Sequence, residues 1–251
     1  MPHDSDARPA SLRYLQAVRT LLERLDGQLD AVETAATWVS EAIGDGGLVF
    51  VTGTGHSHMI AEEVFYRAGG LIAVCPILEP SLLLDRGAIK STRMERLHEL
   101  GSIVIDDAGL TPDDLLVVVS NSGRNAVPVD MALRAKEIGS KVIGIGSREH
   151  ASRVASRHVS GAVLVDVADL FLDNCAPYGD ATVHVTGSPT RVGPVSTIAG
   201  VALINAVMVR AAELLGLEGR PPKVFASANL ATEQAVDPDV MREARSRIKA
   251  L

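Results

Sequence analysis

Leu115-Leu116-Val117-Val118-Val119-Ser120-Asn121-Ser122-Gly123-Arg124-Asn125 carries the reading of the fold. Five apolar residues run without alternation into a Ser/Gly turn, and a helical pattern from Val129 to Ile138 follows Pro128. An apolar run with no polar position suits a strand buried on both faces. The same texture occurs upstream. Leu48-Val49-Phe50-Val51 meets the turn Gly53-Thr54-Gly55-His56-Ser57, and a helical pattern runs from about Ser57 to Arg67. Further runs are Leu71-Ile72-Ala73-Val74, Ile103-Val104-Ile105, Val142-Ile143-Gly144-Ile145 and Ala162-Val163-Leu164-Val165. Continuous runs separated by helices predict an α/β sandwich: a parallel sheet with helices on both faces.

The flanks read as helix. Leu12, Leu15, Val18, Leu22, Leu25, Leu29, Val32, Ala36, Val39 and Ile43 recur at spacings of mainly three and four, predicting one or two amphipathic helices over Ser11–Ile43. Gly44-Asp45-Gly46-Gly47 stops them. Val195–Leu215 reads as a strongly apolar helix, and the longest apolar stretch, Val195–Val209, is too short for a bilayer and holds Ser196, Thr197 and Asn205. The segment from Asp169 to Pro194 is irregular, and the charged tail from Asp237 to Leu251 reads as helix. The simplest partition of the 251 residues is one domain. Residues 1–10 read as a disordered lead, 11–43 as a helical segment, 48–215 as the core and 216–251 as a tail.

Composition narrows the function. Aromatics make up only 3%, so the core is built from Val, Ile, Leu and Ala. A net charge of -7 without a basic run weighs against a nucleic-acid footprint or an electrostatic membrane anchor. It leaves anionic ligands open, because a phosphate is held by local donors. Cys75 and Cys175 form no C-x-x-C pair, and the polar Met1-Pro2-His3-Asp4 has no apolar signal core. Reduced thiols and a cytoplasmic location are the expectation.

The two turns carry the chemistry. In the first, glycines permit a tight turn and close backbone approach, and the following helix start favours an anion. A dinucleotide fingerprint would need a third glycine at position 58, where His58 stands. No lysine follows a glycine in either turn, so there is no Walker A pattern. The expectation is no nucleotide cofactor. The second turn holds Ser120, Ser122 and Asn125 around Gly123, more hydroxyl and amide donors than a helix cap needs. That composition points to a phosphate cradle of hydroxyls and backbone N–H groups.

A G-x-G-x-S turn paired with a later S-x-S-G-x-N/T turn, each after a buried strand, resembles the SIS (sugar isomerase) domain family over roughly Leu48–Val165. The chain as a whole resembles its uncharacterised, phosphoheptose-isomerase-like branch. Leu78-Glu79-Pro80-Ser81, the stretch from Leu172 to Ala181 and Gly193-Pro194-Val195-Ser196-Thr197-Ile198 support that likeness. It implies a five-stranded, flavodoxin-like parallel sheet and a homodimer or homotetramer with sites at subunit interfaces. It also implies a phosphorylated sugar as ligand, with Ser57, Ser120, Ser122 and Asn125 at the phosphate-binding positions. Family members commonly carry threonine in place of Asn125. Gly55, His56, Asn121 and Gly123 complete the expected phosphate set.

Aldose–ketose isomerisation needs a general base and a donor to the enediolate oxygen. Glu79 lies at the carboxyl edge of the second expected strand, where open α/β sheets bind ligands. The resemblance adds Glu62 and Glu63, because phosphoheptose isomerases carry their base on the equivalent helix. Asp173, Asn174 and Asp180 are candidates for sugar hydroxyls, or for Asx turns within their loop. His56 and His58 are two apart with no evident third ligand, so no metal is expected. His98 and His184 read as structural or solvated. Phosphoheptose isomerases also place a histidine, with an acid or amide, on the last core helix. Here Ser196–Arg210 contains neither His nor Glu. Isomerisation, elimination or deamination of a phosphorylated sugar would use the parts present. A sugar-phosphate sensor and an inactive scaffold are the other readings.

Overall fold

The computed structural model describes residues 8–227 and 236–251. Most of the expected disordered lead, residues 1–7, therefore lies outside the described residues. Two helices come first, α1 (Ala10–Leu25) and α2 (Leu29–Gly44), joined by a 3₁₀ turn at Asp26–Gln28. The core then runs β1 (Val49–Gly53), α3 (His58–Val64), β2 (Val74–Ile77), α4 (Ala88–Met94), α5 (Leu100–Ala108), β3 (Leu115–Val119), α6 (Ala126–Ile138) and β4 (Lys141–Gly146). It continues through α7 (Arg148–Ala151), α8 (Leu164–Val167) and β5 (Leu170–Asp173). A hairpin of β6 (Ala181–Val183) and β7 (Val192–Pro194) leads to α9 (Ser196–Leu217), and α10 (Pro238–Arg247) closes the chain.

The five core strands form one parallel sheet in the order β2-β1-β3-β4-β5. This is the flavodoxin-like order, whose topological switch point lies between β1 and β3. Strand alternation explains why the apolar runs are continuous. Val49, Val51, Val117 and Ile143 point to a layer made by α2, α3 and α9. Phe50, Leu116, Val118 and Val142 point to a layer made by α5, α6 and α8. Each face needs its own apolar set, so the polar residues of these strands, Thr52, Lys141 and Asp173, stand at or next to strand ends.

Three of the expected strands are displaced. Ile103-Val104-Ile105 lies inside α5, where Val104 and Ile105 are buried and Ile103 is exposed. The Leu71–Val74 run mostly precedes β2, and the Ala162–Val165 run leads into the short helix α8. The fifth strand is Leu170–Asp173, inside the segment read as irregular. Helix α9, at 22 residues, is longer than expected and meets the length and composition of a membrane span. Ala199, Gly200, Leu203, Ile204, Val207, Met208, Ala211 and Leu215 are buried in it, and Leu203, Ile204 and Val207 join the core layer shared with α2 and α3. That packing makes it a core helix. In α1 only Leu21 is fully buried, while Leu12, Leu15 and Leu22 of the expected stripe are exposed.

Candidate functional site

Strands β1 and β3 are neighbours with Gly53 opposite Val119. The turns that follow them, 53–57 and 120–125, therefore stand side by side at the carboxyl edge of the sheet, at the switch point. In the first turn the chain doubles back so closely that a Cβ on Gly53 would lie 2.7 Å from the Ser57 carbonyl carbon. Only glycine permits this approach. A 3₁₀ turn, Gly55–Ser57, presents Ser57 half-buried and His56 exposed. His58 is buried, and its Nδ1 bonds the Gly55 carbonyl, so it braces the turn from within.

In the second turn Ser120 is buried and its Oγ accepts the Gly123 N–H at 3.2 Å. Its own hydroxyl hydrogen stays available to an acceptor. Gly123 takes φ +61°, a left-handed conformation that turns the chain under Ser122. Asn125 occupies the N-cap of α6, yet its side chain does not cap. Its Oδ1 accepts from Arg157 Nη1 at 2.8 Å instead. The Asn121 side chain faces sideways, where its Oδ1 accepts from Asn174 Nδ2 at 3.0 Å. The two adjacent turns thus carry the hydroxyls of Ser57, Ser120 and Ser122, and Arg157 is tied to Asn125 at the end of the second.

The neighbouring loops are tied to this pair. Gly55 N–H donates to Leu82 O, just beyond Glu79. Thr54 Oγ1 donates to Glu95 Oε2 at 2.8 Å. Ser147 N–H donates to Asn121 O, and Ser147 Oγ to Ala176 O at 2.6 Å. One rigid edge results, built from the loops after β1, β2, β3, β4 and β5.

The other candidates divide. Glu79 is half-buried at the end of β2, with Oε1 accepting the Ser81 N–H at 2.9 Å. Glu63 faces α9, accepts from Asn205 Nδ2 at 3.1 Å and pairs with Arg67. Glu62 is exposed, 3.8 Å from His58 Nε2. Asp173 Oδ1 accepts the Arg148 and Cys175 N–H groups. Asn174 Oδ1 accepts the Ala176 N–H. Asp180 receives Val195 N–H, Ser196 N–H and Ser196 Oγ–H, so both its oxygens cap α9. These three residues are spent on turns, caps and loop ties, the alternative that Asx-rich loops always offer.

Three residues went unnoticed as site candidates: Arg157, His150 and Glu95. Arg157 lies far from Arg124 in sequence, but its N–H donates to Arg124 O. No spacing rule connects them. Among the described residues no group of His, Cys, Asp and Glu is placed to hold a metal. A cavity of about 430 Å³ opens at the opposite, amino edge of the sheet, beside Leu48, Ile72 and Ala73. Its cations are already paired, Arg220 with Asp45 and Glu218, Lys223 with Glu243, and Arg247 with Asp114. The chemistry is concentrated on the loop edge, where the switch-point rule places ligands.

Residues 13–147 match the family model described as "SIS domain". The chain belongs to the SIS domain family. This SIS domain protein is 42% identical over 219 residues to a UPF0309 protein of Geobacillus kaustophilus, covering 87% of each chain. To a UPF0309 protein of Halalkalibacterium halodurans it is 43% identical over 212 residues, 84% of this chain and 88% of that one. Among solved structures it resembles phosphoheptose isomerase of Neisseria gonorrhoeae, with TM-score 0.55 and 16% identity over 80% of this chain and 96% of that one. A phosphoheptose isomerase of Francisella tularensis gives TM-score 0.52 and 17% identity, covering 80% and 95%. At such identity the likeness is one of fold. The family expected from the paired turns is the family found.

Proposed function

We propose that this SIS domain protein binds a phosphorylated sugar at its paired turns and abstracts a proton from it, in an isomerisation or a related reaction. The observation that carries this reading is the pairing of β1 with β3. It brings the turn that holds Ser57 beside the turn that holds Ser120 and Ser122, next to the start of α6. Hydroxyls and N–H groups at a helix start suit a phosphate. The names of the structural neighbours, phosphoheptose isomerases, point the same way.

Glu79 is the proposed base. It stands at the carboxyl edge, and the Gly55–Leu82 hydrogen bond holds its turn against the first loop. Glu63 is engaged by Asn205 and Arg67, which makes it the lesser candidate. The exposed Leu12, Leu15 and Leu22 on α1 support assembly into dimers or tetramers, which light scattering measures. Both cysteines are free and buried, in keeping with a cytoplasmic protein.

The test works whichever sugar is the ligand. Phosphorylated sugars are screened by thermal shift, and those that bind are incubated with the protein in D₂O. Deuterium entering the carbon next to the carbonyl, lost in Glu79→Gln while the thermal shift persists, is the expected result. Stabilisation without exchange identifies a binding module instead, a reading favoured by the absence of His and Glu from Ser196–Arg210. No stabilisation by any sugar phosphate refutes both.

A further inference from the structure

Among the described residues, two nitrogens beside the paired turns are buried without a hydrogen-bond partner: Arg124 Nε, after β3, and His150 Nδ1, after β4. Such atoms bear their full desolvation cost, so each calls for a partner, a water, an ion or a ligand atom. Their loops are fixed relative to one another by Ser147 N–H on Asn121 O and Asn174 Nδ2 on Asn121 Oδ1. The His150 N–H donates to Ser147 Oγ, which sets the turn, and the His150 ring leans on Tyr178 at 5.0 Å between centroids. The two side chains sense each other. Burial holds His150 below its ordinary pKa; Asp180 opposes that, and the Arg124 charge adds to it more weakly than Asp180 opposes.

The positive charge continues on the other side of Arg124. Arg157 binds Asn125 through Nη1 and Arg124 O through its backbone N–H. Burial, then repulsion from Arg124 and Arg96, lowers its pKa, and Glu95 alone opposes them. Arg124, Arg157 and Arg96 outnumber the two carboxylates that act on this cluster, Glu95 and Asp180, and leave a positive balance beside the paired turns. A planar carboxylate offers two oxygens to two N–H groups, and guanidinium matches it well.

We infer that Arg124 and His150, backed by Arg157, form a second anion subsite that takes a carboxylate, so that the ligand is the phosphate ester of a sugar acid. The inference rests on the phosphate reading of the paired turns.

Matched pairs of ligands test it. An aldonate phosphate and the alditol phosphate of the same chain differ only in carboxylate against hydroxymethyl. Pairs of four, five and six carbons, such as 6-phosphogluconate and glucitol 6-phosphate, are titrated calorimetrically, and the ratio of the two affinities is read. For the best-fitting length the wild type favours the aldonate by about tenfold or more, the scale of one charge-assisted bidentate contact. Arg124→Gln and, separately, His150→Asn bring the ratio down towards one. Ser122→Ala weakens both ligands and keeps the ratio. Equal affinities in the wild type, or a preference that survives both substitutions together, overturn the subsite while sparing the phosphate reading. Failure of every pair to bind overturns both. Circular dichroism of each variant confirms folding, and two independent positions keep the result decisive if one fails.

Discussion

Asp180→Ala removes a carboxylate that holds the start of α9. In the structure Asp180 Oδ1 accepts the Val195 N–H at 3.0 Å and the Ser196 N–H at 2.8 Å, and Oδ2 accepts the Ser196 hydroxyl at 2.7 Å. Val195 is buried, so its N–H has little water to turn to. Loss of a side-chain cap costs roughly 0.5–2 kcal/mol, and a buried donor left unpaired about 1–3 kcal/mol. Asp180 also sits at φ +65°, which aspartate tolerates better than alanine. The sum is about 3 kcal/mol. For a chain of this size that lowers Tm by roughly 6–12 °C, measured by calorimetry or circular dichroism. Asp180→Asn keeps the shape and the left-handed tolerance, and loses about half as much. A drop below about 1 kcal/mol in both variants refutes the cap. Sugar-phosphate affinity lost at unchanged Tm returns Asp180 to the role of a sugar contact.

Three further outcomes follow from the same geometry. Gly53→Ala places a methyl against the Ser57 backbone, costs about 1–3 kcal/mol by overpacking and abolishes the thermal shift by sugar phosphates; retained binding contradicts the close approach. His150 has its pKa lowered from 6.5 by burial, so the unfolded chain binds the proton more readily. Its share of stability is present above 6.5 and is lost as the pH falls through the lower, folded value. His150→Asn therefore flattens the decline in denaturant midpoint over that window, and an unchanged slope counts against burial of the ring. The Cys75 thiol, pushed up to about 11 by burial first and by Asp114 second, does not react with a thiol reagent at pH 8 until the chain is unfolded.

The strands at the centre of the sheet were legible because they need no polar side. Val49–Val51 and Leu115–Val119 are buried on both faces, and their sequence says so. The edges were harder. The fifth strand is bounded by Asp169 and Asp173, whose carboxylates bind the N–H groups of Val142, Arg148 and Cys175. Polar ends on a four-residue strand look like loop. Ile103–Ile105 failed for the opposite reason, since three apolar residues fit a strand or one turn of helix equally well. At the proposed site, the serines and glycines can be singled out from local chemistry alone. The commitments of Asn121, Asn174 and Asp180 depend on partners in other loops, and composition cannot show that a carboxylate is already satisfied. Arg157 joins the site only through the packing of the segment after α7 against the β3 turn. The exposed leucines of α1 follow a helical period correctly, and the period does not reveal what covers them.

The most direct measurement is calorimetric titration of wild type and Ser122→Ala with the phosphorylated sugar that stabilises the protein most, alongside the same sugar without its phosphate. The account predicts binding by the phosphorylated form alone, weakened in Ser122→Ala by about 1–3 kcal/mol, the cost of one lost hydrogen bond to a charged group. Equal affinity in the two proteins, or equal binding of the sugar without its phosphate, contradicts a phosphate cradle in the paired turns after β1 and β3.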